Sequence, residues 1–387
     1  MSGLYLMAEM VFWTCCALLL YVYAIYPVLV RALAARLGTP TRRGTDLPSV
    51  TVLVTAYNEE KSIRDKLVNI SRLDYPAELM KTVVVSDASS DATEEIARQF
   101  DPAHVTVMRV EGRQGKTACQ NAGALAARGD ILVFTDATTQ IDPAALRRLV
   151  ENFADGDVGC VASAPIYIKN VDNATSQGCE TYWSYELRLR AAESLLGCLI
   201  GVSGCLYAVR RSAYVPIDPG LISDFVVAMK MREQGLRTVL AADAVCFEET
   251  LDRGSRELAM RVRVAVRSLH ALIHERQFLN PWRYGSLAWA LWSHKVLRYA
   301  SPVLWLAALA ANILLVRRNM GTGYTVLLLM QCVLILAGVL GFFLQARRST
   351  PGILGRPYYF LLTNVASFIA TLRYLRGDRM VTWKPLR

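Results

Sequence analysis

The 387-residue chain lacks the marks of several common chemistries. Its nine cysteines, at positions 15, 16, 119, 160, 179, 198, 205, 246 and 332, form no CxxC pair and join no histidine in a ligand cluster. A zinc site and a disulfide framework are therefore not expected, and the soluble part reads as facing a reducing cytosol. No GxGxxG follows the first strand-like run and no GxxxxGK[ST] occurs, which disfavours a dinucleotide cofactor and an ATP-type phosphate loop. Charge is scarce too. The formal net charge is +10, but only 20% of the residues are charged, and no stripe of Lys and Arg is interleaved with aromatics. That sets nucleic acid aside as a partner and suits membrane lipids, with basic residues beside apolar segments facing anionic headgroups.

What the chain has in quantity is apolar length: 53% of it is hydrophobic and its mean hydropathy is +0.27. Met10 to Val30 carries no charge and is followed by Arg31, Arg36, Arg42 and Arg43. A cleaved signal peptide would show the opposite order, so the run reads as a retained membrane helix over residues 4–31, its N-terminus outside. Residues 277–298 mix Trp282, Trp289 and Trp292 with His294, Lys295 and Arg298, which suits a helix lying in the headgroup layer. Residues 299–317 and 323–346 are long enough to span. Residues 357–376 hold a shorter uncharged run and read as a transmembrane, re-entrant or interfacial helix, with a basic tail over 377–387 that the positive-inside rule keeps cytoplasmic.

Between these lies a cytoplasmic domain, residues 46–276, in which strands alternate with helices. Val50–Thr55, Thr82–Ser86, Val105–Val110 and Ile131–Phe134 read as buried strands, with helices over Ile63–Ile70, Ala92–Phe100 and from Gly115-Lys116 to Ala127. The pattern gives an α/β fold with a mostly parallel sheet covered by helices on both faces. Ligands of such sheets sit outside the carboxyl ends of the strands. Two strands end there in acidic turns, at Asp87 and Asp136, and a third ends in Tyr57-Asn58-Glu59. A carboxylate so placed can hold a hard divalent cation and, through it, phosphate oxygens; capping of the next helix is the plainer alternative.

In this order, VTVLVTAYNEE (50–60), VSDASSDAT (85–93), GKTACQNAGALAARGDILVFTD (115–136), GCLYAVRR (204–211), ISDFVVAMKM (222–231), ADAVCFEE (242–249), SHKVLR (293–298) and TWKPLR (382–387) resemble the membrane-bound family 2 glycosyltransferases. That group includes the cellulose, chitin, hyaluronan and poly-N-acetylglucosamine synthases, built on the GT-A fold. The resemblance implies that Ala56, Tyr57 and Glu59 meet the nucleotide's base and ribose, Asp87 the base edge, and Lys116 the nucleotide. It makes Asp136 the metal ligand for Mg2+ or Mn2+, although Thr138 stands where the family's Asp-x-Asp has its second acid. Asp224 matches the general base that deprotonates the acceptor hydroxyl; capping of the following helix is compatible with that role. Gly204 and Trp383 fall on the acceptor side. Met260 to Arg263 replaces the processive members' Gln-x-x-Arg-Trp, so Arg261 and Arg263 read either as a diphosphate clamp or as a basic interfacial face.

The expected function is thus an inverting transferase that moves a sugar from a UDP-sugar to a glycan or lipid-linked acceptor at the cytoplasmic face of the inner (plasma) membrane, in polysaccharide or oligosaccharide synthesis. Transfer of one sugar to a lipid carrier is the alternative within that chemistry. A non-catalytic nucleotide-binding subunit of a membrane complex is the alternative outside it. Oligomers or partner subunits fit the small number of helices, too few to enclose a channel alone.

Overall fold

A computed structural model of the chain describes residues 3–168, 174–250, 254–344 and 352–382. The apolar run at Val50 becomes β1 (Val50–Ala56), buried at every position because it lies inside the sheet with helices on both faces. Next come β2 (Met80–Ser86), β3 (Val105–Arg109), β4 (Ile131–Asp136), β5 (Gln140–Ile141), β6 (Val158–Ile168), β7 (Leu206–Arg210) and β8 (Arg237–Glu249). Their spatial order is β3-β2-β1-β4-β7-β6-β8-β5. The pairs among β1 to β4 are parallel, as is β6 with β8, whereas β7 and the short β5 run against their neighbours. The mostly parallel sheet read from the sequence therefore has one reversed strand inside it. That reversal builds the site: antiparallel register sets Thr135 opposite Leu206, so the chain entering β7 meets the end of β4.

The helices are α1 (Gly3–Leu20), α2 (Tyr26–Leu37), α3 (Ile63–Ser71), α4 (Thr93–Ala97), α5 (Lys116–Ala126), α6 (Ala145–Val150), α7 (Ala174–Leu195), α8 (Ser223–Glu233), α9 (Gly254–His274), α10 (Pro281–Tyr284), α11 (Ser286–Leu291), α12 (Leu297–Arg317), α13 (Thr322–Leu344) and α14 (Gly352–Leu375). Alternation along the strands divides the core. Leu53, Val85, Leu132 and Phe134 face α8 through Phe225 and Met229. Val52, Val54 and Val133 face α3 and α6 through Leu67, Leu146 and Leu149.

Among the described residues, three continuous helical stretches are long and apolar enough to cross a membrane: Gly3–Leu37, Ser286–Arg317 and Thr322–Leu344. The first runs on beyond residue 31 and contains a π-helical turn, Tyr21–Ile25. It packs on α12 through Ala8, Phe12 and Cys15 against Ala308, Ala311 and Leu315. In α13, Gly338 and Gly341 let α14 approach; a Cβ at Gly338 would lie 2.3 Å from Leu361 Cδ1, and one at Gly341 2.7 Å from Tyr358 Cβ.

Residues 277–298, read from sequence as an interfacial helix region, are not one continuous helix. The chain breaks at Gly285, where φ is +50°. A new helix then starts at Ser286 and continues into α12 through a second π-helical turn, Trp292–Val296. His294 is buried and Arg298 half-buried, because carboxylates of α7 pair with both. The C-terminal segment forms α14, which begins before residue 357. Ala366 and Ala370 of α14 pack on Val262, Ala265 and Val266 of α9, tying it to the α/β domain.

Candidate active site

At the carboxyl ends of the parallel strands, β4 delivers Asp136, and the start of α5 delivers Lys116, whose ammonium forms an ion pair with the Asp136 carboxylate. Lys116 Nζ also donates to the Gly204 carbonyl at 3.0 Å. The reversed strand brings Gly204 there, with the Asp136 N–H donating to Cys205 O at 3.3 Å. Asp224, in the first turn of α8, closes the group: a Cβ on Gly204 would sit 2.9 Å from Asp224 Oδ2 and 3.2 Å from Lys116 Nζ. Glycine is thus required at 204 to let the carboxylate and the ammonium approach. Val202 N–H pins the Asp224 backbone at 2.8 Å, while among the described residues its carboxylate takes no hydrogen bond. Burial works against the Lys116 charge, but Asp136 and Asp224 outweigh it and hold its pKa above the usual lysine value.

Beside this centre the loops after β1 and β2 form a second part of the site. Ala56 ends β1 fully buried, and its carbonyl accepts the Asp87 N–H at 2.9 Å. Asp87 is fully buried, and its oxygens accept from Gln114 N–H at 2.8 Å, Gly115 N–H at 3.2 Å and Arg113 Nε at 3.2 Å. The Arg113 guanidinium also lies 3.3 Å over the Tyr57 ring. Sequence reasoning gave the ring and the carboxylate to a nucleobase and missed Arg113. In this state Arg113 covers the ring and bonds the carboxylate, so a base entering there would have to share or displace it. Only contact in space reveals this. The Glu59 N–H donates to Thr93 Oγ1 at 2.8 Å, which fixes the loop that carries its side chain. Asn58 and Ala88 have φ of +52° and +56°, a conformation costing on the order of 1 kcal/mol outside glycine and concentrated at functional loops.

A third layer lies beneath the Asp136 turn. Lys66 of α3 is fully buried and donates to Thr135 Oγ1 at 2.9 Å and Thr139 O at 2.7 Å. Thr139 Oγ1 in turn bonds Glu248, at the end of β8. Burial pushes the Lys66 amine down to about 8. Sequence reading missed this residue, which there resembles any helix-surface lysine.

Arg263 and Arg261 both line the same cleft as Asp136 and Asp224. Arg263 feels the Asp136 charge. Arg261 does not stand open as a diphosphate clamp in this state. Its Nε donates to Glu257 at 2.9 Å and its Nη2 to the Tyr359 hydroxyl at 2.5 Å, with Tyr182 and Trp183 rings around it. Arg267 donates to Leu221 O at 2.9 Å, steadying the loop that leads into Asp224. Trp383 lies outside the described residues; Val381, two positions earlier, touches Gly115, whose φ of +94° and close approach exclude a side chain.

Among the described residues, no three His, Cys, Asp or Glu side chains group to hold a metal ion by themselves. Asp136, about a third exposed, is a single hard oxygen donor. The set therefore fits a divalent ion shared with a ligand's phosphate oxygens rather than one caged by protein alone. The cleft, about 770 Å³, runs from Lys116, Asp136 and Asp224 to α7, the start of α12 and α14.

Comparison with known proteins agrees with this architecture. Residues 51–215 match the model of the glycosyl transferase family 2. The poly-beta-1,6-N-acetyl-D-glucosamine synthase of Staphylococcus aureus (strain COL) is 26% identical over 217 residues, 52% of this chain and 50% of that protein. The synthase of Staphylococcus epidermidis is 24% identical over 268 residues, 61% of this chain and 62% of the relative. The chain thus spans about half to three fifths of the length of these curated relatives. The mannosyltransferase PcManGT from Pyrobaculum calidifontis, solved in complex with GDP-Man and Mn2+, superposes with a TM-score of 0.73 at 24% identity, over 95% of this chain and 100% of that one. Residues 51–215 are thus similar to the glycosyl transferase family 2 domain, and the chain shares the fold of that mannosyltransferase.

Proposed function

We propose that the protein transfers a sugar with inversion from a UDP-sugar to a glycan or lipid-linked acceptor, at the cytoplasmic face of a membrane held by its apolar helices. The observation that carries this reading is the meeting of Asp136, Lys116 and Asp224 around Gly204 in one cleft. In one displacement the acceptor oxygen bonds to the anomeric carbon as the bond to the nucleoside diphosphate breaks. Asp224, with no competing hydrogen bond, takes the hydroxyl proton. Lys116 and Arg263 meet the charge that grows on the departing diphosphate. Asp136 would hold Mg2+ or Mn2+ together with the diphosphate, and such an ion would further neutralise that leaving group. Tyr57, Glu59 and Asp87, with Arg113, form the seat for the base and ribose, and Gly204 lies under the acceptor.

The poly-N-acetylglucosamine synthases among the relatives favour polysaccharide synthesis with an N-acetylglucosamine donor. The GDP-Man bound to the archaeal neighbour makes GDP-sugars the competing class. The extension of the cleft between α7, α12 and α14 favours an acceptor arriving from the membrane side. Screening UDP- and GDP-sugars for metal-dependent nucleoside diphosphate release by the detergent-purified chain tests the reading. Turnover of a UDP-sugar is expected; release from GDP-sugars alone would replace the donor, and no release from any would remove the transferase mechanism.

A further inference from the structure

The segment Ser293 to Arg298 has no role in the chemistry above, yet it is built with unusual care. It begins inside the π-helical turn Trp292–Val296, and such turns are rare and gather at functional sites. A second one, Tyr21–Ile25, lies against it: the Tyr21 hydroxyl pairs with Ser293 Oγ at 2.8 Å and accepts from Trp289 Nε1 at 2.8 Å. The His294 ring bridges two carboxylates of α7, with Nδ1 2.7 Å from Glu193 and Nε2 2.8 Å from Glu186. Glu193 also accepts from the Tyr26 hydroxyl at 2.8 Å, and the second Glu186 oxygen accepts from Arg298 at 2.9 Å. Burial opposes the Glu186 charge, but His294 and Arg298 hold its pKa well below the usual carboxylate range.

Between His294 and Arg298 stands Lys295. It is half-buried, lines the cleft, and places Nζ 5.1 Å from the centroid of Phe225, the residue after Asp224. Among the described residues its ammonium has neither a hydrogen bond nor an ion pair. A partly desolvated, unpaired cation is costly. Here its neighbours use both Glu186 oxygens, one facing His294 and the other accepting from Arg298. Arg356 of α14, also without a hydrogen bond or ion pair among the described residues, lines the same cleft. The cleft thus holds two cations, Lys295 and Arg356, without a hydrogen bond or ion pair among the described residues, and Tyr23, Tyr299 and Phe360 from three membrane-side elements line it too.

We propose that the membrane-side half of the cleft seats a phosphate carried by the acceptor, a lipid-linked phosphate or diphosphate, with Lys295 as its contact and His294 positioning Lys295. This rests on the transferase reading for the acceptor's role, while the phosphate seat itself can be measured without turnover. The test is binding of geranylgeranyl phosphate, geranylgeraniol and inorganic phosphate to the full chain in detergent. The lipid phosphate is expected to bind at least tenfold more tightly than either the alcohol or inorganic phosphate. Lys295→Met should erase the preference over the alcohol, and Lys295→Arg should keep most of it. His294→Asn should weaken it severalfold alone but add nothing to Lys295→Met, a non-additivity that general destabilisation would not give. Equal binding of phosphate and alcohol, or an unchanged preference in a Lys295→Met protein with wild-type melting, would overturn the proposal. So would inorganic phosphate binding as tightly as the lipid. Loss of the preference with sugar-nucleotide turnover retained would refute this seat alone; absent turnover with the preference intact would refute the transferase reading alone.

Discussion

Gly204→Ala is the sharpest perturbation of the site because its geometry can be worked through. The added Cβ would lie 2.9 Å from Asp224 Oδ2 and 3.2 Å from Lys116 Nζ, against the 3.4 Å at which ordinary contact begins. The carboxylate must therefore retreat by about 0.5 Å and the ammonium by about 0.2 Å. Both are the ends of side chains, and the φ of Gly204 is not in the left-handed region, so the backbone bears no strain. Stability should change by less than about 1 kcal/mol, within the range of an ordinary substitution. Catalysis is less forgiving. A 1 Å misplacement costs on the order of 100-fold, so half of that should lower kcat by roughly tenfold. The donor KM should move less, because Asp136 and the base seat remain. Release of nucleoside diphosphate, followed in a coupled assay beside the melting temperature, reads both quantities. Unchanged kcat would refute the inferred approach of Asp224 and Lys116 over Gly204, and a collapsed melting curve would refute the cheap relaxation.

Metal binding should depend on the diphosphate, since Asp136 has Thr138 rather than a second acid beside it. Calorimetric titration should show Mn2+ binding at least tenfold tighter with UDP than without it, and Asp136→Asn should remove the difference; equal affinity in both conditions contradicts the shared-ligand reading. Lys66 sets a pH dependence of stability. With its amine at about 8 in the fold and near 10.4 unfolded, the unfolded chain holds more protons between those values. Stability from this group is therefore present above pH 10.4 and lost as pH falls through 8, by about 3 kcal/mol at most. Melting curves of Lys66→Met should rise less between pH 8 and 10.4 than those of the wild type, and parallel curves would refute the buried charge. The same variant should raise the donor KM several-fold, since the Asp136 turn loses two hydrogen bonds; an unchanged KM would make Lys66 structural only.

Much of the α/β core was legible because its signals are local. The strands at 50, 82, 105 and 131 are apolar runs closed by turn residues, and each is found within about two residues of its expected place. The candidate residues Asp136 and Lys116 come together because parallel strands present their carboxyl ends on one edge, while the reversed β7 and the start of α8 bring Gly204 and Asp224 to them. Other elements were silent for physical reasons. The buried side of α7 is polar, with Glu186, Arg190 and Glu193 turned inward, so no hydrophobic period marks it. Strand β8 carries Arg237, Asp243 and two glutamates and does not read as an apolar run. His294 and Arg298 looked like headgroup ligands because their true partners lie 101 to 112 residues away. The base-side readings of Tyr57 and Asp87 could not include Arg113, since neither stacking nor a buried ion pair has a spacing to read.

The most direct measurement of the proposed chemistry is a comparison of wild type and Asp224→Asn in nucleoside diphosphate release and in UDP affinity, both in detergent with Mn2+. Asparagine keeps the shape at the start of α8 but cannot take the acceptor's proton. Turnover of a UDP-sugar is expected to fall at least 100-fold while UDP binds within about threefold of the wild-type affinity. Retained turnover in Asp224→Asn, with UDP still bound, would contradict the assignment of Asp224 as the base and with it the proposed mechanism.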